Sequence, residues 1–576
     1  MKRLLIGLAA LAFAGVAPAQ EAPEGASTDL EGLWAARERF GPDVRGTLTI
    51  VRRGEEWRAD LAGHSVAVAA EGDAVSFALP DGLGQFRGRR EGDAILGQWV
   101  QQATYFSGSA FATPVTLRAA GGGQWRGEVI PLEDVFTFYM PVSRQADGTL
   151  AAWLRNTERN QGRFIPVSRI EAEGERVRLL GEDGGVIAEG RRDGDVLRIP
   201  LRNAGYDFER IDGQTNSAFY PRGRPSERYS YRPPVMLDDG WPVASVEEEG
   251  ISRAEIEAFV QMLIDTPVDS PGSPQIHSVL IARNGRLVLE EYFHGHGREM
   301  RHDTRSAAKS WTATLIGAAM QAGVPIRLDT PVYETMLGGA LPADLDPRKR
   351  AMTLEHLVTM TAGFHCDDGS DDAPGREDAM QEQTDEPDWR RFTMNVPMIT
   401  APGETLIYCS AEPDLAAGLL ERVAGEPLPE LFDRLVARPL QMGPYHLFLT
   451  PTGQAYGGGG HHFRPRDFLK LAQLMMDGGM WQGRRIVGAE WARQSTAPLR
   501  ALSPVQRYGF LWNTAEYPWR GRTVQAFFAG GNGGQIFMAI PELDLAIGFT
   551  GGAYADPALF IPQRRYVPEF ILPAVE

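Results

Sequence analysis

The hydrophobic period changes partway along this chain, and that change limits its fold more than any other feature. From about Leu30 to Asp212, apolar and polar residues alternate at period 2 between Gly and Asp turns. After about Val243, amphipathic helical stretches appear among the strands. A strand-period segment does not settle as a helix, so the two halves need different architectures. A chain of 576 residues is also too long for one ordinary core. The expected division is a leader at 1–19, a β-rich domain at 20–222, a linker at 223–242 and a mixed α and β domain at 243–576.

In the first half, "TLTIVRRGEEWRADLAG" reads as a hairpin. Leu48 and Ile50 face one way, the chain turns at Arg53-Gly54, and Trp57, Ala59 and Leu61 follow. "EGDAVSFALP", "EGDAILGQWV" and "RDGDVLRIPL" repeat a Gly-Asp turn that feeds a strand. Many short strands with even turn spacing predict an all-β barrel or sandwich-like domain, with a lipocalin-like barrel as the specific expectation. The Pro-, Arg- and Tyr-rich stretch from Tyr220 to Val243 reads as an ordered linker. In the second half, Ser252 is a predicted N-cap for an amphipathic helix, and Asn284-Gly285 predicts a tight hairpin.

The formal net charge is −17, which disfavours nucleic acid as a partner, because phosphate binding needs a basic patch. Lys2 and Arg3, then "LLIGLAALAFAGV", then Ala17-Pro18-Ala19 before Gln20, have the form of a cleaved signal peptide. The apolar run is short for a membrane span, and no later stretch is long enough for one. The expectation is export to a periplasm or beyond, with no integral membrane span after cleavage. Cys366 and Cys409 are the only cysteines. In an exported chain they suit one disulfide closing a loop of about 44 residues; two separate buried thiols are the alternative.

Only four of the 58 cationic side chains are lysines, and one of them is Lys309, in Ser306-Ala307-Ala308-Lys309. On a helix, residues i and i+3 share a face, which places Lys309 under the Ser306 hydroxyl. Serine is a weak nucleophile and needs a base. A buried lysine can serve if desolvation lowers its pKa, whereas arginine stays protonated. Tyr408, on a loop that enters a helix, can move protons beside that lysine. The Gly-rich bend "FFAGGNGG" can bring a backbone N–H close to a substrate, and the Ser306 N–H can supply a second donor for an oxyanion.

Together these segments resemble the serine β-lactamase and penicillin-binding-protein superfamily, in particular class C β-lactamases, family VIII esterases and 6-aminohexanoate-oligomer hydrolases. The superfamily has Ser-x-x-Lys, Tyr-x-Asn and Lys-Thr-Gly or His-x-Gly in that order. Here the three are Ser306-Ala307-Ala308-Lys309, Tyr408-Cys409-Ser410 and Ala529-Gly530-Gly531. Flanks such as "MTLEHLVTMTAGF", "PGETLIYCSAEPDLAAGLL" and "PELDLAIGFTGG" agree, over about 330 residues. The resemblance implies an α+β β-lactamase-like fold, an antiparallel sheet flanked by helices with a helical subdomain. It implies Ser306 as acylated nucleophile, Lys309 as its base and Tyr408 as proton carrier. The backbone N–H groups of Ser306 and Asn532 would form the oxyanion hole, Ser410, Gly530 and Gly531 would contact substrate, and no cofactor is required.

Two positions depart from that pattern. Ser410 replaces the asparagine, and Ala529 replaces the Lys or His that helps hold a substrate carboxylate in β-lactamases. The expected substrates are therefore small esters or amides lacking that carboxylate, unless another arginine such as Arg522 compensates. A β-lactamase or D-amino-acid peptidase is the enzymatic alternative. A ligand-binding protein that no longer turns over is the non-enzymatic one. His461-His462 and His294-Gly295-His296 lack acidic or cysteine partners at ligand spacing, so they read as loop or surface histidines and no metal site is expected. The sequence leaves oligomeric state and the role of the β-rich domain open.

Overall fold

The computed structural model describes residues 30–104, 108–213, 216–223 and 228–576. The proposed leader lies outside these residues. Among them, no helix is long and apolar enough to cross a membrane.

The β-rich half forms two closed barrels, where the sequence had suggested one domain. The first contains strands Gly46–Arg53, Glu56–Leu61, Ala74–Ala78, Gly84–Glu91, Ala94–Gln101, Phe111–Ala119 and Gln124–Val129. Its sheet path ends on His64–Ala67 and Ala69–Glu71, two halves of a single strand bent at Val68, so the path returns on itself. The second barrel runs from Asp134–Arg144 to Ala204–Ile211, and Gly32–Gly41 pairs with both of these strands to close it. The first barrel is thus inserted between the first and second strands of the other. Period-2 alternation fills each interior: Leu48, Ile50, Phe86, Trp99 and Leu117 in the first, Trp34, Phe138, Met140, Leu197 and Phe208 in the second. The predicted hairpin is present, with Arg53 opposite Glu56.

The second half is built on an eight-stranded antiparallel sheet. Along Ile276–Arg283, Val279 and Ile281 face one side, where Arg253–Ile264 and the C-terminal helix Pro562–Ile571 pack. Leu280 and Ala282 face the other, with helices Lys309–Gln321 and Pro465–Met476 in the same core. The Ser252 side chain accepts from the Glu255 N–H, as an N-cap should. Asn284 and Gly285 have φ of 53° and 71°, the left-handed pair a tight hairpin requires. A helical subdomain around Leu354–Val358, Trp389–Asn395 and Ala411–Ala424 covers the Ser306 side. This is a β-lactamase-like fold.

The end of the linker is anchored on the second half. Trp241 is 1% exposed and donates from Nε1 to the Arg466 carbonyl. Both barrels also dock on the second half. Leu447–Phe448 pairs as an extra strand with Phe111 and Ala112 of the first barrel. Asn160 of the second barrel donates to the Tyr554 carbonyl, and Arg163 pairs with Asp556 at 2.6 Å.

Cys366 and Cys409 are bonded, which joins the Tyr408 loop to the segment carrying Asp368. The sequence separation is 43, for which chain-entropy reasoning gives up to about 4 kcal/mol. Cys366→Ser/Cys409→Ser should lower the urea midpoint of the second half relative to the oxidised protein. An unchanged midpoint would show that the bond does not limit unfolding.

Candidate active site

The chain turns sharply just before Ser306. Arg305 has φ of 47°, an unfavourable value for a residue with a Cβ, and the turn is held by Thr304, whose N–H and Oγ1 both donate to the His461 carbonyl. One turn later, Lys309 lies under the serine as expected. Its Nζ donates to Ser306 Oγ at 3.0 Å and to the Gly458 carbonyl at 2.7 Å. The Tyr408 ring centroid is 5.0 Å from the same nitrogen. Lys309 is 2% exposed.

The electrostatics correct one expectation. Burial by itself lowers the Lys309 pKa, but Tyr408, Glu377 and Asp368 outweigh it and hold the ammonium above its ordinary range. Desolvation therefore does not make Lys309 a resting amine base. Its proton belongs to a set of coupled groups.

A cavity of about 380 Å³ opens over Ser306, and Tyr408, Ser410 and Asn532 line it. Asn532 uses its side chain structurally, accepting from the Ala555 N–H. Gly530 and Gly531 do not line the cavity. A Cβ on Gly531 would come within 2.4 Å of the Thr304 carbonyl oxygen, so this glycine lets the strand pass close behind the Ser306 turn. The Ser410 hydroxyl donates to Asp368 Oδ2 at 2.6 Å and is committed there. Ala529 is fully buried in the core. Arg522 cannot substitute for it: it sits at the far end of the same strand, stacked on Trp519.

Several site residues were not identified from sequence. Asp368 accepts from Ser410 N, Ser410 Oγ and the Glu377 N–H. Glu377 lines the cavity and accepts from the Tyr456 hydroxyl at 2.8 Å; burial raises its pKa. Asp414 accepts from the Gly457 N–H and so steadies the glycine run whose Gly458 carbonyl meets Lys309. Three further lining residues come from the barrels: Ser109, Phe111 and Arg159. The run Gly457-Gly458-Gly459-Gly460 is visible in the sequence, but nothing in it signals these partners.

His294, His461 and His462 are buried rather than superficial, with His461 0% and His294 4% exposed, and His296 is half-buried. His277, His296 and His302 bring ring nitrogens within 4.8 Å of one another. His302 Nδ1 faces the Asp303 carbonyl at 3.1 Å. A carbonyl only accepts, so Nδ1 carries the hydrogen, and His302 Nε2 accepts from His277 Nδ1 at 2.8 Å. His277 and His296 lie face to face, with centroids 3.8 Å apart at 12°. Rings stacked this way do not aim two lone pairs at one point. Hydrogen bonding leaves one atom of the cluster over: His277 Nε2 is buried without a hydrogen-bond partner.

Residues 269–551 match the family model described as Beta-lactamase. The second half of the chain therefore carries a β-lactamase-like domain. The chain is 26% identical over 229 residues to the 6-aminohexanoate-dimer hydrolase of Paenarthrobacter ureafaciens, covering 38% of this chain and 56% of that relative. It thus spans about half the length of the curated relative. Among solved structures, EstCE1, a hydrolase with promiscuous acyltransferase activity, aligns at 21% identity and a TM-score of 0.44, covering 56% of this chain and 97% of that one. A penicillin-binding-protein homologue from Caulobacter crescentus aligns at 17% and 0.41, covering 53% and 94%.

Burial raises the Asp414 pKa to about 6, from an ordinary value of 3.8. The fold thus favours its protonated form. Its stabilising contribution is complete below the unfolded value and is lost as pH rises through about 6. Asp414→Asn should flatten the decline in melting temperature between pH 4 and 7. An identical pH profile would show that Asp414 is not the group titrating there.

Proposed function

We propose that this protein is an exported serine hydrolase that forms an acyl-enzyme on Ser306 and acts on carboxylic esters or small amides. The observation that carries the reading is Lys309 Nζ, buried and 3.0 Å from Ser306 Oγ, with Tyr408 beside it in a cavity large enough for a small substrate.

In this reading Ser306 Oγ attacks the substrate carbonyl while its proton passes to the Tyr408 oxygen, which takes part as the phenolate while Lys309 stays an ammonium. The Lys309 ammonium compensates the negative charge that Tyr408 carries in transit. Tyr408 then protonates the leaving alcohol or amine, and later receives a proton from the water that attacks the acyl group. Developing negative charge on the carbonyl oxygen would be met by the Ser306 and Asn532 N–H groups. The named relative, a hydrolase of an amide dimer, supports including amides. Export rests on the signal-like residues 1–19.

Release of p-nitrophenol from p-nitrophenyl butyrate should be readily measured for the wild type and fall by at least about a thousandfold in Ser306→Ala. Lys309→Arg should also lower activity, because a planar guanidinium cannot take the place of the ammonium between Ser306 Oγ and the Gly458 carbonyl. Nitrocefin cleavage exceeding ester cleavage would favour a β-lactamase. Equal rates for wild type and Ser306→Ala would overturn the proposal.

A further inference from the structure

Asp303, Asp368, Glu377 and Asp378 line the cavity together with Arg159 and Arg305. Asp303 pairs with Arg305 at 3.1 Å. Asp368 is saturated by two N–H groups and one hydroxyl, and Glu377 accepts from Tyr456. Lys309 is bound to Ser306 and Gly458. Arg159 is different. Its backbone N–H donates to Asn156 Oδ1, but among the described residues its guanidinium makes no ion pair and no side-chain hydrogen bond.

Arg159 is also fixed in place. It lies on a turn of the second barrel, and the next residue, Asn160, has φ of 53°. Asn160 donates to the Tyr554 carbonyl and accepts from Gln275 at 3.2 Å. Arg163 then bonds the Ala555 carbonyl at 2.7 Å and Asp556. These contacts attach the turn to the loop whose Ala555 N–H is held by Asn532. The Arg159 charge is felt by Asp303, His462 and Tyr554, and Arg159 lines the same cavity as Ser306. A guanidinium that lines the cavity from an anchored turn, with no ion pair of its own, is free to pair with a carboxylate from outside.

We propose that Arg159 is a specificity-determining residue that binds a carboxylate of the substrate, so that the preferred substrates are esters or amides carrying a second, free carboxylate. This deepens the hydrolase reading and rests on it. It also revises the sequence-based expectation of substrates without a carboxylate: the recognising cation comes from the barrel rather than from the strand that holds Ala529.

The test compares p-nitrophenyl monoglutarate with p-nitrophenyl butyrate. The ratio of their kcat/KM values should fall about tenfold to a hundredfold in Arg159→Gln, chiefly through KM for the monoglutarate, which is the scale of a charge-assisted hydrogen-bonded pair. Arg159→Lys should fall between the two. Arg126→Gln removes an equal charge from the exposed face of the first barrel and should leave the ratio unchanged. A binding arm separates this proposal from the hydrolase reading. Glutarate should bind the Ser306→Ala protein by calorimetry and bind at least about tenfold more weakly when Arg159→Gln is added. An unchanged ratio, or glutarate binding indifferent to Arg159, would overturn the carboxylate site whether or not Ser306 turns over esters. Loss of glutarate binding on Arg159→Gln, with no ester turnover by wild type, would keep the carboxylate site and refute only the hydrolase.

Discussion

Lys309 Nζ lies almost wholly out of water, between Ser306 Oγ and the Gly458 carbonyl, and a charge buried there must be compensated by its surroundings. Much of the neighbouring structure supplies that compensation. Asp368 and Glu377 provide negative charge from one loop, and the Cys366–Cys409 bond fastens that loop to Tyr408. Asp414 holds the glycine run that presents the Gly458 carbonyl. On the other side, Gly531 allows a strand to pass directly behind the turn that carries Ser306. A lysine in this setting is a fixed ammonium embedded in a proton-sharing set. That is why its charge, as well as its reach, matters to any chemistry at the serine.

The barrels take part in the site. Their interiors are packed with side chains, so what they contribute to the cavity is wall. The first barrel is joined by main-chain pairing to Leu447–Phe448, which sets Phe111 against Phe448 and His462. The second contributes Arg159 from a turn bonded to the Tyr554 loop. One half of the chain thus supplies the nucleophile and its proton carriers, while the other shapes what can approach them. A change of barrel loop could change substrate choice without touching the reacting groups.

What was legible in the sequence was local. Ser306 and Lys309 could be paired because helical spacing brings i and i+3 together, and Asn284-Gly285 announced its turn because few residues accept positive φ. The change of period separated a strand-period half from one with helices. It did not reveal two barrels, because closure of the second depends on Gly32–Gly41 pairing with strands that begin more than ninety residues later in the chain. The Ser410 hydroxyl was read as a substrate contact because its acceptor, Asp368, is 42 positions distant. Lys309 was read as a depressed base because the apolar neighbours were adjacent in sequence and the carboxylates were not. Arg159 was one arginine among many until the fold placed it at the cavity.

The central claim is an activated nucleophile at Ser306, and intact-mass spectrometry after treatment with a fluorophosphonate probe tests it most directly. The account predicts one covalent adduct per chain on the wild type, absent from Ser306→Ala and formed much more slowly in Lys309→Ala. A folded wild-type protein that acquires no adduct, or one that still labels after Ser306→Ala, would contradict it.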